Sequence, residues 1–328
     1  MTHYSLLDLV PVVEGGTVAQ ALAQSADLAA HAETLGFTRF WVAEHHGMKG
    51  IASAATAVVI GHIAAATKTM RVGAGGIMLP NHAPLVIAEQ FGTLDALYPG
   101  RIDLGLGRAP GSDQRVMHAI RRTLDSDPNG FVRDIAELQS YFADDGRTGI
   151  SATPGAGADV RLYILGSSLY GAQVAALLGL PYAFASHFAP QMLDEALHVY
   201  RSSFKPSAVL DKPYVMAAMN VIAADSDAEA EYLASSIQQS FVALRTGNPR
   251  QMQPPVEGYK SSLPPHIAAM LDELLSCSAI GAPDTIEKGI AAFVERTQAD
   301  EIIVACSLFD HEKRKRSLEL TAAAFKSL

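Results

Sequence analysis

Eight short apolar runs, each followed by a helical pattern, limit what this chain can fold into more than any single motif does. Residues 4–10, 37–43, 70–77, 101–106, 161–165, 181–185, 214–222 and 302–306 have the length and mainly apolar character of buried strands. Helix signatures lie between them. Thr17 with Gln20 and Ser226 with Glu229 have the spacing of capping boxes, Asp310 is placed to cap a closing helix, and Gly36 and Gly179 stop two others. Buried strands joined by helices make parallel sheets, and eight such units predict an α/β chain folded as a (β/α)8 TIM barrel. A doubly wound open sheet is the alternative. One stretch breaks the rhythm. Residues 247–278, after the seventh strand and its helix, hold five prolines and only a short helical pattern near 267–275. The expectation is a single domain over 1–328, with 247–278 as a lid-like insertion. A glycine-rich stretch at 146–157 reads as hairpin-like.

Composition removes several functions. With 49% of 328 residues apolar and 18% charged, a large buried core is available. The formal net charge of −9 would be repelled by phosphates, so nucleic acid is not an expected partner. Two cysteines, Cys277 and Cys306, make no disulfide framework, and no Cys–His spacing suggests a metal. No apolar run reaches the roughly 18 residues that cross a bilayer, and no signal-peptide pattern is present. The expected compartment is cytoplasmic.

In folds of this kind reactive groups gather at the C-terminal ends of strands, and the polar clusters of this chain fall there. The second strand ends in Glu44-His45-His46, three titratable side chains in a row. Neighbours on an extended chain point to opposite sides, so one of the two histidines is expected to face the pocket. There it can exchange a proton near neutral pH, with Glu44 placed to fix its tautomer. An ordinary polar loop is the other reading. Gly73-Ala74-Gly75-Gly76 ends the third strand, either for tight packing or to bring backbone against a flat ligand. Asn81-His82 follow it. Gly166-Ser167-Ser168 marks a strand-to-helix turn: a plain N-cap, or an anion site built with the free amides of the helix. Arg108, just past the fourth strand, is a second phosphate ligand or a surface ion pair. His187 ends the sixth strand. Neither a G-x-G-x-x-G nor a P-loop pattern is present.

Together these residues carry a resemblance. Trp41 with Glu44-His45-His46, the run from Gly73 through Pro84, the run from Tyr98-Pro99-Gly100-Arg101 through Arg108, and the tail from Gly281-Ala282-Pro283-Asp284 to Glu301 resemble the bacterial-luciferase-like flavin-dependent oxidoreductases. The resemblance covers nearly the whole chain. It implies the barrel, reduced FMN as cosubstrate, and O2 that adds at the flavin C4a carbon to give a peroxyflavin able to oxygenate a small organic substrate. It places the catalytic histidine on His45, with Glu44 beside it. The flavin-contacting backbone, with a non-proline cis peptide, falls on Gly75 and Gly76. The phosphate ligands fall on Arg108 and Ser167, flanked by Gly166 and Ser168. His46, Asn81, His82 and His187 are the expected pocket residues.

An NAD(P)H:flavin reductase is the implied source of FMNH2. A homodimer is expected through the alanine-rich helix at 53–67. Luciferase has a reactive cysteine where Gly107 stands and a glutamate where Gly166 stands, which tells against light emission and a luciferase-like aldehyde site. Two rivals remain: a deazaflavin F420-dependent hydride-transfer oxidoreductase on the same barrel, and a non-catalytic flavin-binding protein.

Overall fold

The structure is a computed structural model that describes residues 2–108, 119–120 and 130–328. Strands β1 (His3–Asp8), β2 (Arg39–Val42), β3 (Arg71–Met78), β4 (Ile102–Gly107), β5 (Arg161–Gly166), β6 (Tyr182–Phe184) and β7 (Val215–Ala223) lie side by side in chain order. A short β8 (Ser278–Gly281) follows, and β9 (Glu301–Ala305) pairs in parallel with both β7 and β1. The ring is therefore closed by eight parallel strands, β1–β7 and β9. Helices α1 (Val18–Leu35), α2 (Thr56–Ala66), α3 (Pro84–Leu97), α4 (Gly130–Ala143), α5 (Leu169–Leu178), α6 (Leu193–Ser203), α7 (Asp227–Arg245), α8 (Pro265–Leu274), α9 (Pro283–Thr297) and α10 (His311–Ser327) run between and after the strands. This is the (β/α)8 barrel that the alternation predicts. The local signals act as expected: Thr17 and Gln20 cap α1 reciprocally, Gly36 and Gly179 take left-handed C-cap conformations, and Asp310 caps α10.

Two features depart from the expectation. β8 was hidden in the tail of the irregular stretch, since four residues are too few to show a period. It exists because β7 is long. The nine residues of β7 are all buried, and its last four, Asn220–Ala223, pair with β8 after its first part has served β6 and β9. The stretch at 146–157 forms turns rather than a hairpin. Gly146, Gly149 and Gly157 take positive φ there, which bends the chain too often for a strand pair.

Inside the ring the side chains form layers. The floor is polar. Arg39 donates to both Glu301 oxygens (2.7 and 2.9 Å) and to Asp103 (2.8 Å), while Arg71 reaches the other Asp103 oxygen (2.7 Å). Ser5, Trp41, Tyr163 and Tyr214 complete the cluster. Two guanidinium groups face two carboxylates, and their bonds offset the desolvation that would otherwise make buried charge costly. Above the floor lies an apolar layer containing Leu7, Trp41, Tyr163, Met216 and Ile303. Higher still the inward positions shrink to Ala43 and Ala218, with Gly107, Ala185 and Ala305 following on the same faces by strand alternation. Small residues therefore line the inside of the ring at its C-terminal end.

Candidate active site

The mouth is organised by Glu44. The β2–α2 connection begins at Ala43, and the Glu44 side chain turns into the wall with only 1% of its surface exposed. Its oxygens accept four bonds: from His46 Nε2 (2.8 Å), Asn81 Nδ2 (3.1 Å), His82 Nε2 (2.8 Å) and the Met78 amide (2.9 Å). Its own amide donates to the Gly76 carbonyl (3.0 Å). Burial pushes the Glu44 pKa up, but His82, Asn81 and the Met78 amide outweigh it and hold the carboxyl below its usual range. Glu44 thus clasps the end of β2 to the end of β3. The tautomer-fixing role expected toward His45 is not what the geometry shows, because both carboxylate oxygens are turned to other partners. His46, Asn81 and His82, expected in the pocket, are the groups that surround Glu44.

His45 points the other way, on the face that carries Trp41 and Ala43 below it. Its Nδ1 is sealed from solvent and has no hydrogen-bond partner among the described residues. Burial lowers the pKa of the ring, against the pull of the Ala43 carbonyl and the Glu44 charge. His187, following β6, has the same unpartnered, sealed Nδ1. Burial and the charge of His45 push it down to about 4. A residue the sequence reading missed, Asn220 of β7, donates to the His187 carbonyl (2.8 Å) and fixes that turn.

The β4 and β5 ends build a second corner. Arg108 is exposed, and its guanidinium carbon lies 4.0 Å from the centre of the Tyr170 ring on α5. That cation–π contact brings a fixed fork beside the start of the helix. Ser168 is the N-cap of α5 in extended conformation, yet its hydroxyl makes no capping bond. The first amides of a ten-residue helix, two serines and an arginine therefore converge. Tyr170 was legible only as the third residue after Ser167, once the turn is known to start a helix. Residues 109–118, which follow Arg108, lie outside the described residues.

The glycines at the β3 end are explained by packing. Gly76 is the extra residue of a bulge, for the register with β4 moves from Gly75↔Gly105 to Ile77↔Leu106. A Cβ on Gly75 would stand 2.8 Å from the Trp41 ring, and one on Gly76 would meet the Gly105 carbonyl oxygen at 2.5 Å. The peptide between them is cis. At Gly166 a Cβ would lie 3.1 Å from the Tyr182 hydroxyl. The tight-packing reading accounts for all three, and the bulge also turns the Gly76 carbonyl toward Glu44.

The irregular stretch reaches the same face. Met252 donates to the Val12 carbonyl (3.1 Å) and accepts from the Glu14 amide (2.8 Å), while Val12 donates to Gly50 (2.9 Å). The 250–252 segment is thus sewn to the β1–α1 loop, itself sewn to the loop that follows His46. Its other side is held to α7 by Ser235 and Gln239.

A closed (β/α)8 barrel whose polar groups gather at the C-terminal mouth defines an enzyme scaffold. Comparison with known proteins narrows the class. Residues 4–301 match the luciferase-like monooxygenase family, and the chain belongs to that family. It is 54% identical to the luciferase-like monooxygenase of Escherichia coli (strain K12), over 97% of this chain and 95% of that one. It is 34% identical to the N-acetyl-S-alkylcysteine monooxygenase of Bacillus subtilis (strain 168), over 75% of each. The crystal structure of apo-MsnO8 superposes with a TM-score of 0.89 at 34% identity, covering 99% of both chains. The fold alone is shared with the oxygenating constituent of 3,6-diketocamphane monooxygenase in complex with FMN (TM-score 0.70, 17% identity, 98% of this chain and 96% of that one). It is shared equally with an F420-dependent secondary alcohol dehydrogenase (TM-score 0.69, 17% identity, 98% of each). The chain is an oxidoreductase enzyme. Among the described residues no helix is long and apolar enough to cross a membrane.

Proposed function

We propose that this chain is a monooxygenase that uses reduced FMN and molecular oxygen to oxygenate a small organic substrate. The observation that carries the reading is the convergence, at one mouth, of an anion corner and a sealed, unpartnered imidazole. The residues present fit a flavin phosphate. Arg108 and Ser167-Ser168 would hold it, the arginine by its planar fork and the helix start by its amides. Bound reduced FMN would supply the electrons that activate oxygen at its C4a carbon.

The chain supplies the rest. Burial lowers the pKa of His45 and so favours the neutral ring, the form that can accept a proton from a bound ring or an oxygenated group. Glu44, with His46, Asn81 and His82, holds the wall from which His45 projects. The alanine and glycine layer below leaves room for a flat ring, and the apolar layer beneath keeps water from that side. The 247–278 insertion serves as a lid, because its 250–252 edge is tied to the loops around the mouth.

The monooxygenase relatives favour oxygen over hydride transfer, and oxygen activation favours a flavin. The F420 dehydrogenase keeps a deazaflavin as the alternative. An NAD(P)H:flavin reductase would deliver FMNH2. Homodimer formation is supported by an outer face of α2 free of Lys, Arg, Asp and Glu, formed by Val58 (74% exposed), His62 and Ala65 with the N-cap Ala55, and by exposed Val86 on α3. The test of the function is turnover of a substrate panel with a flavin reductase and isotopically labelled oxygen, read by mass spectrometry. One labelled oxygen atom in a product supports the reading; oxidised products with no label refute it.

A further inference from the structure

Met78 ends β3 and pairs in register with Gly107, the last residue of β4. The lower part of β4 shows which of its faces looks inward. Asp103 belongs to the polar floor, while Ile102, Leu104 and Leu106 pack in the outer apolar cluster. Gly107 shares the face of Asp103 and therefore looks into the ring. The space in front of it is taken by methionine. A Cβ on Gly107 would stand 2.7 Å from Met78 Cε and 3.0 Å from Met78 Sδ. The thioether thus lies inside the mouth and is half-buried, while the Met78 amide is held by Glu44 (2.9 Å).

Strand order relates this sulfur to the ligand assigned to the mouth. β2, β3, β4 and β5 are neighbours in that order. His45 follows β2, and the anion corner of Arg108 and Ser167-Ser168 lies past β4 and β5. A flavin with its phosphate in that corner and its ring at His45 crosses the ends of β3 and β4. Those ends offer Gly75, Gly76 and Gly107, which have no side chain to react, and Met78, whose sulfur is soft and oxidisable. Other methionines are placed differently. Met70, Met216, Met219 and Met252 are buried, and Met192 and Met270 pack against the outer cluster.

Resting on the reading of this mouth as the site of reduced FMN and oxygen, we propose that Met78 is a modification site. Its thioether is oxidised to the sulfoxide when the enzyme turns over with no organic substrate in the mouth. The step balances without a further reductant. Reduced FMN gives one electron pair and two protons and leaves as FMN, and the sulfur gives the second electron pair. The O–O bond breaks, one oxygen atom forms the S–O bond, and the other departs as water. A flexible apolar group against Gly107 becomes a polar one, so the change marks and alters the site where uncoupled turnover took place.

The experiment uses the purified chain with reduced FMN as the probe, isotopically labelled oxygen, catalase and no organic substrate. Peptide mass spectrometry then reads the oxygen gained at each methionine. Catalase destroys peroxide released to solution, so oxygen delivered inside the mouth is what remains. Met192 and Met270 are half-buried like Met78 and serve as references. Proximity should give Met78 at least about tenfold more label than either. In Arg108→Ala, where FMN binding is weakened, the label on Met78 should fall while the references keep their background. Met78 labelled no more than the references, or labelled only when catalase is left out, would overturn the proposal. Anaerobic dialysis of the same preparation separates the two readings. Reduced FMN bound and oxygen consumed with Met78 unlabelled rejects the modification site alone. No binding of reduced FMN rejects the flavin reading and the modification site with it.

Discussion

Replacing Glu44 by glutamine tests whether the carboxylate is the clasp of the mouth. The change keeps shape and nearly all volume but turns one acceptor oxygen into a donor. Whichever oxygen is lost, the new NH2 faces two donors: His46 and Asn81 at Oε1, or His82 and the Met78 amide at Oε2. Two bonds to a charged group disappear in a site that is 1% exposed, so little water can replace them. Breaking a buried charged cluster in this way costs about 3–5 kcal/mol. Set against a typical total of about 5–15 kcal/mol, that is a large fraction. Urea unfolding at neutral pH should show it, with a fall in melting temperature of about 4–7 °C.

The pH dependence has a definite sign. The folded pKa of Glu44 is depressed, so its contribution is present above the unfolded carboxylate value and is lost as pH falls through the folded one. The glutamine variant should therefore lose less stability than wild type on acidification. A cost below about 1 kcal/mol, with an unchanged acid profile, would show that the four bonds do not act as a clasp.

Arg108→Ala should weaken FMN binding by about 10- to 100-fold with an unchanged melting temperature, because the residue is exposed; fluorescence titration reads both forms. Arg108→Lys should recover little, since an ammonium cannot lie flat on Tyr170 while facing a phosphate. Deleting 248–259 with a short Gly-Ser bridge should leave FMN binding intact and raise hydrogen peroxide release at the expense of product. Equal coupling of oxygen to product would reject the lid. Val58→Glu should give a monomeric mass by light scattering at micromolar concentration, where wild type gives a dimer; a monomeric wild type would reject the interface.

The barrel was legible because its evidence is repeated eight times, and each repeat is bounded by caps or glycines that act locally. β8 was not, because its pairing depends on the length of β7 and not on any pattern of its own. At the mouth, the strand ends mark which residues gather, yet they leave open which side chain turns inward. Glu44, His45 and His46 are consecutive in the chain. One becomes the clasp, one faces the opening, and one serves the clasp, and the bulge at Gly76 and the donors on the β3–α3 connection decide this. Asn220 and Tyr170 were missed for a similar reason. Their roles lie in contacts between neighbouring units of the barrel, to the β6 turn and to the end of β4, which no local spacing records.

The most direct test of the central claim is anaerobic equilibrium dialysis of the purified chain against reduced FMN and, separately, reduced F420. The account predicts that reduced FMN binds, that Arg108→Ala weakens it, and that admitting oxygen consumes the bound reductant. Binding of reduced F420 with none of reduced FMN would contradict it.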